Sequence, residues 1–489
     1  MQPNNGSISA QEIGWIVRGQ EHHTGTPLEV RAPFDHSVIS QVWQATLTDA
    51  QQAVAAAVEE FAHTSAMGSW ERQNILAAVA ARLQSQHEQF AQTIMREAGK
   101  PIKAARAEVD RSILTFLVAA EESTRMGGEV LPLDLIPTSA GRWGLSRRFP
   151  CGPVLAITPF NFPLNLVAHK LAPAIACGCP VILKPAPQTP MSSWLLVRAI
   201  LEAGWPAEAL AFLPLSNEDT SRLVSEDDRV RAVSFTGSAR VGWELKAVAK
   251  KKRVLLELGG NAAMIVHSDW PDLEGAAQSV VKGGFGYSGQ SCISVQRVYV
   301  QQSIFKPFCD AVLRQVEKLQ VGDPALDSTD VGPLIRESDA ERVEAWIGEA
   351  IRGGATQLAG GKREGSVIRP TVLTGTHSPM NVRDEEIFGP VITVEPYEKF
   401  ADAIAAVNAS KYGLQAGLLS RDAGLIQEAY HTLQVGALIV GDAPTWRLDS
   451  MPYGGVKDSG EGREGVRYAM DEMTEPRLLV MALKPDPQG

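Results

Sequence analysis

The feature that most constrains the fold is an alternation of short apolar runs with helical patterns through the middle of the chain. VLAITPF from Val154, PVILKPA and VRAVSFTG are typical of buried strands, and the stretches between them have the spacing of helices. Apolar strands that alternate with helices indicate a parallel sheet with helices on both faces. A second series of this kind begins near Leu258. The sequence therefore predicts an α/β protein with two such domains and a cleft between them, where ligands tend to bind.

The flanking segments complete the predicted domain organisation. A chain of 489 residues is too long for one ordinary core, so two or three domains are expected. Residues 48–125 have helical spacing, whereas 128–147 alternate around a Ser-Ala-Gly turn and indicate a projecting hairpin. The C-terminal run EPRLLVMAL is interpreted as a strand that pairs with another subunit. The predicted units are a first domain (1–127 and 148–256), a second domain (257–474) and bridging elements (128–147 with 475–489).

Composition excludes several classes of function. The net charge of −10 argues against nucleic acid as a partner, because phosphate binding needs a basic surface. The N-terminal residues lack the pattern of a signal peptide, and no run reaches the roughly 18 apolar residues of a membrane helix. Five scattered cysteines do not resemble a disulfide framework, so a cytoplasmic location is expected. Cys177 and Cys179 are too close for a metal-binding CxxC pair, and no metal site is predicted.

Three residues have local surroundings that suit catalysis. Cys292 lies in the small polar loop SGQSCIS, where a thiol is either a nucleophile or, as expected of Cys177 and Cys179, a buried filler. Glu257 lies in the apolar run LLELGG, where burial should raise the pKa of its carboxyl group. It is therefore either a general base or a structural carboxylate. Asn161 in TPFNFP is placed either to donate to an oxyanion or to form a turn.

Two glycine-rich segments differ in their value as cofactor loops. The run GFGYSG at 284–289 matches the dinucleotide fingerprint GxGxxG, but it follows a helix and leads to a cysteine. The fingerprint should follow a strand and open a helix, so we reject this match. Gly237 and Ser238, by contrast, follow the strand VSF and open a helix, whose first backbone N–H groups would suit a pyrophosphate.

Seven motifs occur together, in an order that resembles the aldehyde dehydrogenase superfamily along nearly the whole chain. They are TPFNFP (158–163), KPAPQTP (184–190), SFTGS (234–238), LELGGN (256–261), GQSC (289–292), EEIFGP (385–390) and PYGGVKDSG (452–460). The resemblance implies NAD(P)-dependent oxidation of an aldehyde to an acid. It also implies that the first domain is an atypical Rossmann cofactor domain, that the second is catalytic, and that the protein forms a homodimer or a dimer-based tetramer.

The resemblance assigns a role to each matching position. It makes Cys292 the nucleophile and Glu257 the base that activates water, which argues against the acylating branch. Asn161 and the backbone N–H of Cys292 would form the oxyanion hole, and Lys170 and Glu464 match positions linked to proton release. The implied cofactor positions are Lys184 for the adenosine ribose, Gly237 and Ser238 for the pyrophosphate, Glu386 for the nicotinamide ribose, and Thr158, Phe160, Asn161 and Phe388 for the cleft.

Departures from the family pattern bear on the choice of cofactor. The family often has a glutamate three residues after Lys184, where it grips the ribose hydroxyls, but this chain has Pro187. Leu215 stands where family members usually have a glycine in the next loop. Phe160 stands where they usually have a tryptophan before the oxyanion asparagine. Without a carboxylate at 187 a 2′-phosphate meets no repulsion. NADP is therefore expected to serve at least as well as NAD.

The expected substrate is an anionic aldehyde. Arg111 and Arg447 align with positions near the substrate tunnel, and two unpaired guanidinium groups there would bind a carboxylate, sulfonate or phosphonate tail. This pattern resembles the branch that contains succinic semialdehyde dehydrogenases, whereas Ser291 in place of an arginine argues against a phosphate. The alternative is that both arginines are surface or interface residues. Further alternatives are a dehydrogenase of neutral or phosphorylated aldehydes, a cysteine esterase and a non-catalytic structural protein.

Overall fold

The computed structural model describes residues 11–482, and its helices are mostly those that the sequence predicts. The α-helices are α1 (Leu47–Ala66), α2 (Ser69–Ser85), α3 (His87–Ala98), α4 (Ile102–Ser123), α5 (Asn165–Cys177), α6 (Pro190–Glu202), α7 (Asn217–Glu226), α8 (Ala239–Val248), α9 (Leu273–Phe285), α10 (Phe305–Val316), α11 (Glu337–Arg352), α12 (Asn381–Asp384), α13 (Phe400–Asn408), α14 (Ala423–Thr432) and α15 (Val466–Glu472).

The strands are short and lie between these helices along the chain. They are β1 (Gln11–Ile13), β2 (Trp15–Val17), β3 (Gln20–His22), β4 (Thr26–Arg31), β5 (Val38–Gln44), β6 (Gly128–Pro132), β7 (Arg142–Pro150), β8 (Val154–Ile157), β9 (Val181–Lys184), β10 (Leu210–Phe212), β11 (Ala232–Thr236), β12 (Arg253–Glu257), β13 (Ala262–Val266), β14 (Val295–Gln301), β15 (Thr356–Ala359), β16 (Arg363–Glu364), β17 (Val367–Ile368), β18 (Thr371–Thr374), β19 (Val391–Tyr397), β20 (Tyr412–Gly413), β21 (Gln415–Leu419), β22 (Ala437–Val440), β23 (Val456–Lys457), β24 (Gly460–Glu461) and β25 (Thr474–Ala482).

The first large sheet contains the strands that the sequence alternation predicts. Within residues 11–482 its order is β24-β12-β11-β8-β9-β10-β2-β3. The five strands from β12 to β10 are parallel, with Val154 opposite Val181 and Ala232 opposite Val154. At one edge β24 pairs antiparallel with β12, so residues 460–461 belong to this sheet although the predicted boundary places them in the second domain.

The second large sheet repeats the parallel arrangement. Its order, within the same described residues, is β15-β18-β19-β14-β13-β21-β22, and all neighbours are parallel except β15 and β18. Apolar side chains of α9 and α10 pack against one face of this sheet. The predicted α/β fold class is therefore confirmed.

Helices cover the first sheet and position its connecting loops. Helix α1 begins with a capping box, in which Asp49 N–H donates to Thr46 Oγ1 and Thr46 N–H donates to Asp49 Oδ2. Helices α2, α4 and α5 pack together, and every residue of α5 is buried. Because α5 is enclosed, the charged side chains that it carries need partners inside the protein.

The predicted hairpin is present as β6 and β7, and it forms a small three-stranded sheet with β25. The C-terminal strand pairs antiparallel with β7 of its own chain, from Thr474 opposite Pro150 to Ala482 opposite Arg142. The expectation that this strand pairs with another subunit stays a prediction, because β7 occupies one edge of β25 and no other strand of residues 11–482 pairs with its second edge. Exposed apolar side chains on this sheet and its loop are Val130, Leu135, Ile136, Leu478, Leu479 and Val480.

None of the helices in residues 11–482 is both long enough and apolar enough to span a membrane.

The end of α5 depends on a glycine that approaches another backbone. Gly178 has φ 83°, and a Cβ there would lie 2.5 Å from the carbonyl oxygen of Thr64 in α1. Gly204 follows α6 with φ +99°, but a Cβ there would meet nothing within 4 Å. The two glycines thus share a left-handed conformation, and only Gly178 is also sterically confined.

We expect Gly178→Ala to destabilise the protein more than Gly204→Ala does. Gly204→Ala should lower the free energy of unfolding by about 1 kcal/mol, the cost of a left-handed alanine. Gly178→Ala should cost about 2 kcal/mol more, because α1 and α5 must separate to admit the methyl group. Urea unfolding followed by tryptophan fluorescence measures both. Equal destabilisation by the two variants would contradict the close approach.

Candidate active site

A cavity of about 630 Å³ lies at the carboxyl ends of β8, β9, β11 and β12, and residues from later in the chain, among them Cys292 and Phe388, also line it. Loops that follow parallel strands meet at one edge of a sheet, which explains why residues distant in sequence converge here. Ten of the residues singled out from the sequence line this cavity: Thr158, Phe160, Asn161, Lys184, Gly237, Ser238, Glu257, Cys292, Glu386 and Phe388.

One end of the cavity suits the phosphates and ribose of a dinucleotide. Lys184 ends β9 and is buried, and its Nζ donates to Asn217 Oδ1 at 3.4 Å. Burial lowers the pKa of Lys184 to about 8. Ser238 is the N-cap residue of α8, and a Cβ at Gly237 would lie 2.6 Å from the ring of Phe235. A bare backbone at a helix N-terminus is a favourable site for a pyrophosphate.

The deeper part of the cavity also fits a cofactor. Glu386 Oε1 accepts a hydrogen bond from Gly260 N–H at 2.9 Å, and burial raises the pKa of this carboxyl to about 7. The rings of Phe160 and Phe388 meet edge to face with centroids 5.8 Å apart. Thr158 Oγ1 is buried with no hydrogen-bond partner among residues 11–482. An unpartnered hydroxyl beside apolar rings and a carboxylate is consistent with a ligand that completes the site.

The loop that carries Cys292 is held by Gln290. Gln290 follows a 3-10 turn at Gly286–Gly289, which comes after α9 and forms the second part of the rejected GxGxxG segment at 284–289. The side chain of Gln290 accepts a hydrogen bond from Ile335 N–H at 2.9 Å, and its backbone carbonyl accepts one from Asn161 Nδ2 at 3.0 Å. Asn161 is therefore tied directly to the loop that presents Cys292.

Burial acts on both reactive groups. Glu257 is the last residue of β12 and is 2% exposed, and neither carboxylate oxygen has a hydrogen-bond partner within the described chain. Burial raises the pKa of Glu257 well above its usual range, and the charge of Glu464 raises it further. Burial also raises the pKa of the Cys292 thiol to about 12.

Four of the predicted site residues lie outside the cavity lining, in a group of charged side chains that are buried except for the half-buried Arg111. We call this group the charge cluster; its members are Arg111, His169, Lys170, Arg447, Asp449 and Glu464. Arg111 comes from α4, His169 and Lys170 from α5, and the other three from the C-terminal segment. The cluster joins the first domain to the segment around the PYGG motif.

Asp449 anchors one half of the charge cluster. Arg111 donates to both its carboxylate oxygens, at 2.6 and 3.1 Å, and His169 Nε2 lies 2.8 Å from Oδ1. Burial opposes ionisation of Asp449, but the bonds from His169 and Arg111 hold the pKa of its carboxyl well below the usual range. For His169, burial and the charge of Arg447 lower the pKa, so its imidazole is neutral near pH 7.

Glu464 anchors the other half of the charge cluster. Lys170 Nζ donates to its Oε1 at 3.1 Å, and Arg447 Nη2 donates to its Oε2 at 3.3 Å. Burial opposes ionisation here too, but the neighbouring cations hold the pKa of Glu464 at about 2. The guanidinium of Arg447 also lies 3.6 Å from the ring centroid of Tyr453.

The expectation of two unpaired guanidinium groups is wrong. Arg111 and Arg447 each have a carboxylate partner, because the C-terminal segment brings Asp449 and Glu464 into the same enclosed space. Neither arginine is unpaired, so binding of a substrate anion by them requires that the charge cluster as a whole carry more positive than negative charge.

Sequence reasoning missed several residues that shape the site, among them Asn217, Gln290, Asp449 and Tyr453. Tyr453 hydroxyl lies 2.9 Å from Cys292 Sγ. A tyrosine inside the quoted PYGG motif was a usable signal, but no spacing rule links it to a cysteine 161 residues away.

Comparisons with known proteins agree with this geometry. A model described as "Aldehyde dehydrogenase family" matches residues 20–479. The 3-sulfolactaldehyde dehydrogenase of Priestia megaterium is 41% identical over 97% of this chain and 98% of its own length. Aldehyde dehydrogenase 21 from Physcomitrella patens, solved with the reaction product succinate, has a TM-score of 0.95 and 43% identity, covering 97% of this chain and 99% of that one.

A third relative extends the range of cofactors and substrates. Glyceraldehyde-3-phosphate dehydrogenase GapN from Methanocaldococcus jannaschii, solved with NADP, has a TM-score of 0.90 and 36% identity, covering 93% of this chain and 99% of that one. The matches confirm the predicted enzyme class, an NAD(P)-dependent aldehyde dehydrogenase. The family match spans most of the chain, and this chain therefore belongs to the aldehyde dehydrogenase family.

Proposed function

We propose that the protein oxidises an anionic aldehyde to the carboxylic acid through a thioester on Cys292, with NADP or NAD as the oxidant. The observation that supports this most directly is the position of Cys292. It lines the cavity that fits the cofactor, together with Glu257 and Asn161, and it contacts Tyr453, which lies against the charge cluster.

The first half of the reaction uses Cys292 and Asn161. The thiolate attacks the aldehyde carbon, and the carbonyl oxygen becomes an oxyanion. An amide nitrogen has two hydrogens, so Asn161 can donate one to the Gln290 carbonyl and the other to the oxyanion, next to the backbone N–H of Cys292. When bound, NAD(P) supplies the acceptor for the hydride that leaves this carbon.

The second half uses Glu257. Its carboxylate takes a proton from water, and the resulting hydroxide attacks the thioester and releases the acid. A carboxyl group whose pKa is raised by burial is a stronger base than an exposed one, which suits this step. The pair formed by Lys170 and Glu464 influences Glu257 electrostatically, and we propose it as the route by which the proton leaves.

The charge cluster favours an anionic substrate. It contains three basic side chains other than its neutral histidine and two carboxylates, so one positive charge is in excess while Glu257 is protonated. Arg447 Nε is also buried with no hydrogen-bond partner among residues 11–482, although Asp449 Oδ1 lies 4.0 Å away. A substrate anion would balance the charge and accept from this donor.

The relatives support the same substrate class. The names of the three relatives refer to a sulfonated aldehyde, to succinate as a product and to a phosphorylated aldehyde, each of which is an anion. Succinic semialdehyde is our first candidate, because its carboxylate lies three bonds beyond the reactive carbon. A short sulfonated aldehyde is the second, favoured by the 41% identity to the Priestia enzyme.

The lining of the cavity supports use of NADP. Pro187 and Lys184 both line it, so the position that carries a glutamate in many family members has no negative charge here. We propose that NADP is used at least as well as NAD.

We also propose a homodimer or a dimer-based tetramer. The exposed apolar side chains on the β6-β7-β25 sheet, which include Leu478 and Val480, form a surface that a second copy would cover.

The mechanism predicts that Glu257→Gln separates the two half-reactions. One equivalent of reduced cofactor should still appear in a rapid burst, because acylation does not need the base. Steady-state kcat should fall by about 100-fold or more, since water activation is lost. Stopped-flow absorbance measures both phases, and Cys292→Ala is the control that should show neither. A lost burst in Glu257→Gln would place Glu257 earlier in the reaction.

The cofactor proposal predicts a shift in preference on adding a carboxylate. Pro187→Glu should change the kcat/KM ratio of NADP to NAD in favour of NAD by about tenfold, a ~1.4 kcal/mol repulsion of the 2′-phosphate. Pro187→Gln controls for loss of the proline ring and should leave the ratio nearly unchanged. A native enzyme with a strong preference for NAD would refute the proposal.

The substrate proposal predicts that the native enzyme has a higher kcat/KM for succinic semialdehyde than for butanal. Arg111→Ala and Arg447→Ala should each reduce this advantage about tenfold or more, because a hydrogen bond to a charged group is lost. Parallel steady-state assays with 3-sulfolactaldehyde show which of the two candidate substrates has the higher kcat/KM. If each variant loses equal activity on charged and neutral aldehydes, the arginines are structural.

A further inference from the structure

Tyr453 makes a direct contact with the nucleophile that the mechanism above does not use. Its hydroxyl lies 2.9 Å from Cys292 Sγ, and the side chain is 3% exposed. Its backbone is fixed by Glu464, since Tyr453 N–H donates to Glu464 O at 3.0 Å and Glu464 N–H donates back to Tyr453 O at 2.6 Å. The phenol is thus held in one place by an element that also carries part of the charge cluster.

Arg447 strengthens this contact. Its guanidinium stacks on the Tyr453 ring at 3.6 Å and is itself anchored by Glu464. A cation over an aromatic face is attracted to the ring electrons and makes the attached hydroxyl a better hydrogen-bond donor. The positive charge of Arg447 over the ring therefore strengthens the hydrogen bond that the Tyr453 hydroxyl can donate to Cys292 Sγ.

The phenol keeps its proton throughout the working range of pH and can donate it in a hydrogen bond to a thiolate. Burial raises the pKa of Tyr453 well above its usual value, so the hydroxyl keeps its proton. The other charged groups that face Cys292 are Glu386 and Glu257, which oppose the thiolate, and Arg447, which favours it. When the thiolate forms, only Tyr453 among these groups makes a hydrogen bond to Sγ.

We propose that Tyr453 is a positioning residue that orients Cys292 and stabilises its thiolate by a hydrogen bond, with Arg447 polarising the phenol. This inference rests on the proposed role of Cys292 as the nucleophile. It gives Arg447 a second effect, on the nucleophile, in addition to its proposed contact with the substrate anion.

Alkylation of Cys292 tests the proposal without relying on turnover. In Tyr453→Phe the ring and its stack with Arg447 remain and only the hydroxyl is lost. Iodoacetamide labelling of Cys292 at one fixed pH, followed by mass spectrometry, should be about tenfold slower in this variant, because a smaller fraction of the thiol is ionised. The burst rate near pH 7.5 should fall about tenfold, with KM for butanal little changed. Tyr397→Phe is the matched control, since Tyr397 is buried in the second domain and its hydroxyl has no partner in the described chain.

A second substitution tests the same bond in the opposite direction. Replacing Tyr453 with 3-fluorotyrosine makes the phenol a stronger donor and should speed the labelling of Cys292 at the same pH. Unchanged labelling rates in both Tyr453 variants would overturn the proposal and leave the role of Cys292 intact. Full turnover in Cys292→Ala would instead overturn the proposed function.

Discussion

The enclosed charges of the C-terminal segment determine how the site is assembled. Asp449 and Glu464 are buried, and an isolated carboxylate in such surroundings costs several kcal/mol. Each obtains its partners from another element: Arg111 from α4, and His169 and Lys170 from α5. These pairs hold the segment that contains the PYGG motif against the first domain. Cys292 and Glu257, the proposed nucleophile and base, face one cavity although they come from different parts of the chain.

Glu257 and Glu464 are buried to a similar degree, but their pKa values are shifted in opposite directions. Glu257 and Glu464 are both nearly inaccessible to water, but Glu257 has no hydrogen-bond partner in the described chain, whereas Glu464 bonds to two cations. The pKa of Glu257 is raised and that of Glu464 is lowered to about 2. Two carboxyl groups with separated pKa values are the arrangement that acid–base chemistry requires, with one residue able to exchange protons and the other fixed in charge.

Much of the fold and of the cavity lining could be predicted from the sequence. The spacing of apolar residues along the chain depends on local backbone geometry. The alternation of strands and helices from Val154 onward could therefore be predicted from the sequence. The ordered motifs identified residues that line the cavity, including Cys292 and Lys184, and four of these motifs lie at the carboxyl ends of β8, β9, β11 and β12. The assignment of 460–461 to the first sheet could not be predicted, since β24 is only two residues long and pairs across 200 residues of chain.

The amino-acid sequence was sufficient to predict the α/β class and the family and to propose a set of reactive side chains. It could not show which charged groups meet, because that depends on how the chain packs. Arg111 and Asp449 are 338 residues apart, and Cys292 and Tyr453 are 161 residues apart, so no periodicity or motif spacing connects them. The pKa of a buried group depends on desolvation and on charges within a few ångströms, and both are properties of packing. The pairing of the arginines and the hydroxyl beside the nucleophile therefore became visible only in three dimensions.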